Sequence, residues 1–231
     1  MSVIFADRIE KSYQRGSIST PVLRGVDFNV PQGECVFLVG PSGSGKSTLL
    51  SILGCLLSPD TGSLTILDHN ISQLSARQKT ALRRDRIGFI FQRFNLIEGL
   101  NSLENICVPL RLCNLSPRQI QRRGNELLEL VGLEEHAAAR PSQMSAGQCQ
   151  RIGIARALAL SPDLILADEP TASLDAQCGQ EILELFQQLI RREKKTAVVV
   201  THDPRIFKFA DRICQVEGGR LNEARRTANM A

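Results

Sequence analysis

Residues 40–47 read GPSGSGKS, a spacing of glycines, one lysine and one hydroxyl that suits the holding of a row of phosphates. Gly43 and Gly45 let the chain curl until successive backbone N–H groups point inward at phosphate oxygens. Lys46 adds a point charge for the β- and γ-phosphates, Ser47 a hydroxyl for Mg²⁺, and Thr48 a hydrogen bond for the α-phosphate. The loop Gly40, Pro41, Ser42, Gly43, Ser44 and Gly45 is therefore expected to wrap a nucleoside triphosphate. Further on, LILADEP supplies Asp168 and Glu169 at the end of an apolar run. Asp168 is expected to hold Mg²⁺ through water, and Glu169, facing the other way, to take a proton from an attacking water. Gln92 follows IGFIF and His202 follows TAVVVT. Gln92 is an amide for the metal or the water, and His202 a contact for the γ-phosphate region.

These residues meet only if the runs before them are neighbouring strands that end at one edge. The run ECVFLV passes straight into the glycine loop, and Leu49, Ile52, Leu53 and Leu56 then follow the spacing of a helix buried on one side, stopped by Pro59. LILAD (164–168) is apolar up to its closing aspartate, as a strand covered on both faces must be. Strand character is also expected for VIFADRI, VLRGVDFNV, GSLTIL, IGFIF and TAVVVT, with a polar, basic connector between GSLTIL and IGFIF. The middle of the chain reads as helix. Ser116-Pro117 starts one, Ile120, Leu127, Leu128 and Val131 stripe it, and Gly132 stops it. A second helix begins at SAGQ, and Ile182, Leu185, Phe186 and Leu189 mark a third. The whole is an α/β sheet with a helical insertion, with a frayed tail expected after Gly219.

With 231 residues, a formal net charge of +4 and only 4% aromatic residues, the chain is long enough to bury a full, mostly aliphatic core. The basic residues lie in short scattered groups, which reads as solvated surface and not as a nucleic-acid groove. The seven cysteines form no C-x-x-C pair. Cys35, Cys55, Cys107, Cys149 and Cys214 sit among apolar neighbours and read as small buried residues of a reducing compartment. No signal segment and no membrane-spanning run is expected.

QMSAGQCQR (143–151) is a second helix start suited to an anion, about a hundred residues beyond the first. Ser145 and Gln148 also form an S-x-x-Q capping box, which stabilises a helix with or without a ligand. In this order the motifs resemble those of the ATP-binding cassette (ABC) ATPases: GPSGSGKST, Gln92 in FQRFNL, MSAGQ, LILADEP, ASLD (172–175) and His202 in THDP. Tyr13, the chain's single tyrosine, stands in EKSYQRG where that family stacks an aromatic ring on adenine.

The resemblance implies a P-loop, RecA-like α/β core (1–92 and 161–231) with an N-terminal antiparallel β subdomain and a helical subdomain (93–160). It implies ATP hydrolysis with Mg²⁺ held by Ser47, Gln92 and Asp168. It also implies a homodimer in which Ser145, Gly147 and Gln148 of one chain meet the ATP of the other, with Asp175 of the aspartate loop ASLD also among the nucleotide-binding residues. Within the family the chain is most similar to the group serving lipoprotein release, macrolide efflux and glycolipid export (LolD-, MacB- and DevA-like), with FtsE a near relative. The implied partner is a transmembrane permease subunit at the cytoplasmic face of the membrane, contacted through Phe94, Leu96 and Ile97, with no nucleic acid. A force-transmitting FtsE-like role, an importer, and a soluble ATPase of repair or translation are the alternatives. Ala146 stands where the family has glycine. It is harmless if Ser145 caps the helix and Ala146 is its first residue, and costs about 1–2 kcal/mol if the position is left-handed.

Overall fold

Two sheets share the chain in the computed structural model, which describes residues 2–192 and 194–226; residues 1 and 193 and the end of the expected tail, 227–231, lie outside it. The first is antiparallel, ordered β2-β1-β4-β5, with β1 Ser2–Arg15, β2 Ile18–Pro31, β4 Thr61–Ile66 and β5 His69–Asn70. The second is ordered β10-β9-β3-β8-β7-β6. Its strands β3 Cys35–Val39, β6 Ile87–Ile90, β7 Leu164–Asp168, β8 Thr196–Val200 and β9 Arg212–Glu217 are parallel. The last strand, β10 Arg220–Arg226, pairs antiparallel with β9, so the segment expected to fray after Gly219 is sheet through residue 226.

The alternation of side chains along each central strand divides the core in two. Cys35 and Phe37, Ile165 and Ala167, and Ala197 and Val199 join one cluster, beneath the helices α5 Ala146–Ala157 and α6 Ala176–Arg192. Their alternates Val36 and Leu38, Leu164 and Leu166, and Val198 and Val200 join the other, with the antiparallel sheet and α1 Lys46–Leu53. A strand covered on both faces has no solvent side, hence the uninterrupted apolar runs. The five cysteines expected to be buried are buried. Pro21 lies within β2, where it is tolerated because β2 is an edge strand and spares the missing N–H.

The helical block comprises α3 Ser102–Arg111, α4 Pro117–Leu130 and α5. Ser116 caps α4, and Gly132 follows its end in the left-handed conformation, its N–H bonded to Glu129 O and that of Leu133 to Leu128 O. The polar connector contains an unexpected helix, α2 Ala76–Arg86. It buries only Leu82, so it has no apolar stripe to read, although its Ser75–Gln78 capping box is present in the sequence.

Helix α1 ends at Leu53, earlier than Pro59 would end it, and Leu56 is 55% exposed. The Leu56 N–H bonds to Ser51 O and the Cys55 N–H to Ile52 O, a Schellman ending with Cys55, not glycine, in the left-handed position at φ 56°. The glycine stands one residue earlier because room is needed there. A β-carbon on Gly54 would lie 2.2 Å from Phe89 Cζ and 3.1 Å from Leu166 Cδ1. Gly54→Ala is therefore expected to lower the unfolding free energy by about 1–3 kcal/mol, measured by urea denaturation, with part regained in Gly54→Ala/Phe89→Leu. An unchanged midpoint contradicts this packing account.

Candidate functional site

Parallel register carries the four strand ends to one edge. Val200 lies beside both Leu38 and Asp168, and Ala167 beside Ile90. The loops that leave β3, β6, β7 and β8 therefore open on one cleft at the carboxyl ends of the strands, where open α/β sheets bind ligands. The cleft has a volume of about 650 Å³. It is lined by Gly40, Pro41, Ser42, Gly43, Gly45, Lys46, Ser47, Thr48, Gln92, Asp168, Glu169 and His202, joined by Val22.

The glycine loop curls as its spacing requires, with Gly40, Gly43 and Gly45 at φ 146°, 76° and 105°. Gly45 also lies close under β2: a β-carbon there would stand 2.8 Å from Leu23 Cδ2 and 2.9 Å from Val22 O. The Lys46 side chain is almost wholly buried and its ammonium donates to Gly40 O at 2.9 Å and Pro41 O at 2.8 Å. This fixes a positive charge across the loop and uses two of its three donors. Ser44 does not line the cleft. Its N–H closes a turn on Pro41 O, and its buried Oγ has no partner among the described residues.

Opposite the lysine, Asp168 and Glu169 part company. Ser47 Oγ donates to Asp168 Oδ1 at 3.1 Å. Burial raises the Asp168 pKa above the ordinary carboxylate range; the Ser47 hydrogen bond lowers it, Glu169 raises it and Lys46 lowers it. Glu169 has φ 47°, a left-handed backbone that costs a non-glycine residue about 1–2 kcal/mol. Its N–H is held by Val200 O at 2.9 Å. The reversal of backbone direction turns its carboxylate to His202, whose Nδ1–H donates to Oε1 at 2.8 Å.

The Gln92 loop is held by contacts that the sequence reading missed. Ser173 Oγ donates to Gln92 O at 3.3 Å. Phe94 and Asn95 are both left-handed, at φ 58° and 48°, and the Arg156 guanidinium donates to their carbonyls at 2.7 and 2.6 Å. Burial lowers the Arg156 pKa. The signal available in sequence was only an arginine on the apolar side of α5. Of the three expected partner contacts, Ile97 is 48% exposed, whereas Phe94 and Leu96 are half-buried and Leu96 packs on the helical core.

Tyr13 flanks the cleft without lining it. It is exposed on the β1–β2 hairpin, its hydroxyl 3.5 Å from Thr48 Oγ1. Ser145, Gly147, Gln148 and Asp175 are not in the cleft. Ser145 is the cap of α5, with φ −69° and ψ 160°, and Ala146 is the first helical residue, so alanine there carries no left-handed strain. The Ser145 N–H donates to Gln148 Oε1 at 2.9 Å, and the Gln148 N–H to Ser145 Oγ at 3.2 Å. The remaining amide group, Gln148 Nε2, faces His136 Nε2 at 3.0 Å, which makes that ring nitrogen the acceptor and puts the imidazole proton on Nδ1. Asp175 caps α6, accepting from the Cys178 N–H at 3.0 Å.

A family model described as ABC transporter matches residues 23–172. An uncharacterized ABC transporter ATP-binding protein of Thermotoga maritima is 46% identical over 91% of this chain and 90% of its own length. The chain belongs to the ABC transporter family. It is an ATP-binding cassette and an ATPase. The cassette is also 42% identical to the macrolide export ATP-binding/permease protein MacB of Syntrophobacter fumaroxidans, over 95% of this chain but only 31% of that longer protein. Solved dimeric structures of the Methanocaldococcus jannaschii cassette MJ0796 superpose with a TM-score of 0.88, at 40–41% identity, covering 96% of this chain and 99% of that one. One of them is a post-hydrolysis state bound to ADP and Pi. No helix among the described residues is long and apolar enough to cross a membrane.

The half-buried Asp168 yields a test without nucleotide. A carboxyl whose folded pKa is raised binds protons more readily folded than unfolded, so it lowers stability as pH rises from its ordinary value through the raised one. Asp168→Asn keeps an acceptor for Ser47 and removes the charge. The nucleotide-free variant is expected to melt above the wild type at pH 7, with the gap closing below about pH 3.9. A lower melting point for the variant at pH 7 contradicts the assignment of burial as the dominant cause.

Proposed function

We propose that this chain is the ATP-hydrolysing subunit of an exporter-type ABC transporter, acting as a head-to-tail homodimer on a separate transmembrane permease subunit at the cytoplasmic face of the membrane. One observation carries the reading: the chain holds two anion-directed helix starts, and the one at Ser145 lies outside the cleft opened by the one at Lys46. A second chain, reversed, would bring the free start of each over the cleft of the other. The dimeric MJ0796 structures support the pairing. The export name of MacB, which also joins ATP binding to a permease, supports the direction and the partner.

The residues then take these roles. The Gly40–Gly45 backbone and Lys46 hold the phosphates, Thr48 the α-phosphate, and Tyr13 stacks on adenine. Ser47, Asp168 and Gln92 fit a Mg²⁺ ion: all three line the cleft, they offer only oxygen ligands, and Asp168 is a half-buried carboxylate that a cation would neutralise. The ion would spread the charge developing on the β- and γ-phosphates. Glu169 accepts a proton as a water oxygen bonds to the γ-phosphorus and the bond to the β-phosphate oxygen breaks, leaving ADP and phosphate. His202, donating to one oxygen of Glu169, orients the carboxylate and leaves the other oxygen for the water. From the mate, Ser145, Gly147 and Gln148 present a helix N-terminus to the γ-phosphate, with Asp175 in the loop beside them. In domain terms, residues 1–92 and 161–231 form the nucleotide-holding core and 93–160 the helical arm that carries the signature turn.

Glu169→Gln is expected to bind ATP like the wild type and to lose turnover by about 10²–10⁴-fold. Lys46→Ala, by contrast, is expected to lose nucleotide affinity. Equilibrium ATP binding and steady-state phosphate release separate the two; near wild-type turnover in Glu169→Gln removes Glu169 from the base role.

A further inference from the structure

Gly147 is a glycine without a conformational need for one. It lies in the first turn of α5, it is not among the residues with positive φ, and glycine in a helix costs about 1 kcal/mol against alanine. What it provides is room. A β-carbon at 147 would stand 2.3 Å from Cys178 Sγ, too close for any real contact, while Cys178 Cβ lies at 4.0 Å, an ordinary one. Cys178 sits in the first turn of α6, and its backbone N–H donates to the Asp175 carboxylate at 3.0 Å. One residue therefore touches the signature turn with its thiol and the aspartate loop with its backbone.

We propose that Cys178 is a positioning residue for ATP hydrolysis: its thiol, seated on the bare α-carbon of Gly147, locks the Ser145–Gln148 turn to the Asp175-capped start of α6, so that both meet the mate cassette as one surface. This rests on the reading that the signature turn serves the nucleotide of the opposite chain. Arg151 and Glu181, one on each of the two helices and 3.7 Å apart, give the same pair of helices a second tie. The other explanation for a glycine at 147 is that the mate's triphosphate needs a bare backbone there. The two explanations differ in what a change at 178 can repair.

The test compares Gly147→Ala, Cys178→Ala and the double variant by kcat, KM for ATP, equilibrium ATP binding and melting temperature. Gly147→Ala is expected to lower kcat by at least about tenfold while ATP binding and melting temperature stay near wild type. Cys178→Ala is expected to cost a few-fold. The double variant should return to within a few-fold of Cys178→Ala, since the smaller side chain leaves space for the new methyl; contacting residues couple in this non-additive way. A double variant no better than Gly147→Ala overturns the proposal while leaving the signature turn in the reaction. Wild-type kcat in Gly147→Ala overturns it differently, by removing the turn from the reaction altogether. Should Gly147→Ala fail to fold, the folded Cys113→Ser protein is treated with methyl methanethiosulfonate, which makes a methyl disulfide at an accessible thiol and releases methanesulfinate. Five other cysteines are buried, which leaves Cys178 as the half-exposed target. Loss of kcat that dithiothreitol reverses, absent in Cys113→Ser/Cys178→Ala, supports the proposal; full labelling with unchanged kcat overturns it.

Discussion

The structure depends on the parallel register that ends four strands at one level. Because β3, β8, β7 and β6 are in register from Leu38 and Val200 to Asp168 and Ile90, four loops distant in sequence open on a single cleft. Register is specified here by burial. Each strand gives alternate residues to two separate cores, and a slip of one residue would exchange the two sets of side chains. The chemistry is therefore positioned by aliphatic packing that takes no part in it.

Within the cleft, charge and backbone strain are both held in place by the surroundings. The lysine ammonium rests on two carbonyls of its own loop, and Asp168 keeps a half-buried carboxyl beside a serine hydroxyl. Left-handed conformations at Glu169, Phe94 and Asn95 are residues that solvent alone would not keep there. Val200 holds the first and Arg156 the other two. Because Arg156 lies on α5, the same helix that begins at Ser145 also holds the carbonyls of Phe94 and Asn95 in the loop after Gln92.

Much of this was legible in the sequence because it depends on local chemistry. The glycine loop needs positive φ at fixed positions, and only glycine supplies it cheaply; the doubly covered strands must be apolar throughout; Ser145 and Gln148 announce their own cap. The misreadings came from tertiary causes. Helix α1 stops at Leu53 on a turn whose left-handed residue is Cys55, while the glycine before it serves the close approach of Phe89, a contact between segments that spacing does not reveal. Helix α2 buries a single leucine and so lacks a stripe. Arg156, Ser173 and Cys178 act through side-chain contacts with loops far away in sequence, and β10 exists because β9 has an open edge to pair with.

In the proposed function each nucleotide is closed in by the Ser145 turn of another chain. The most direct measurement is the mass in solution, by light scattering, of ATP-saturated Glu169→Gln protein with and without Ser145→Arg, alongside equilibrium ATP binding. The predicted result is twice the mass of one chain for Glu169→Gln and the mass of a single chain for the double variant, which still binds ATP but more weakly, since a dimer that ATP closes must in turn tighten ATP. Equal masses in the two proteins would contradict it.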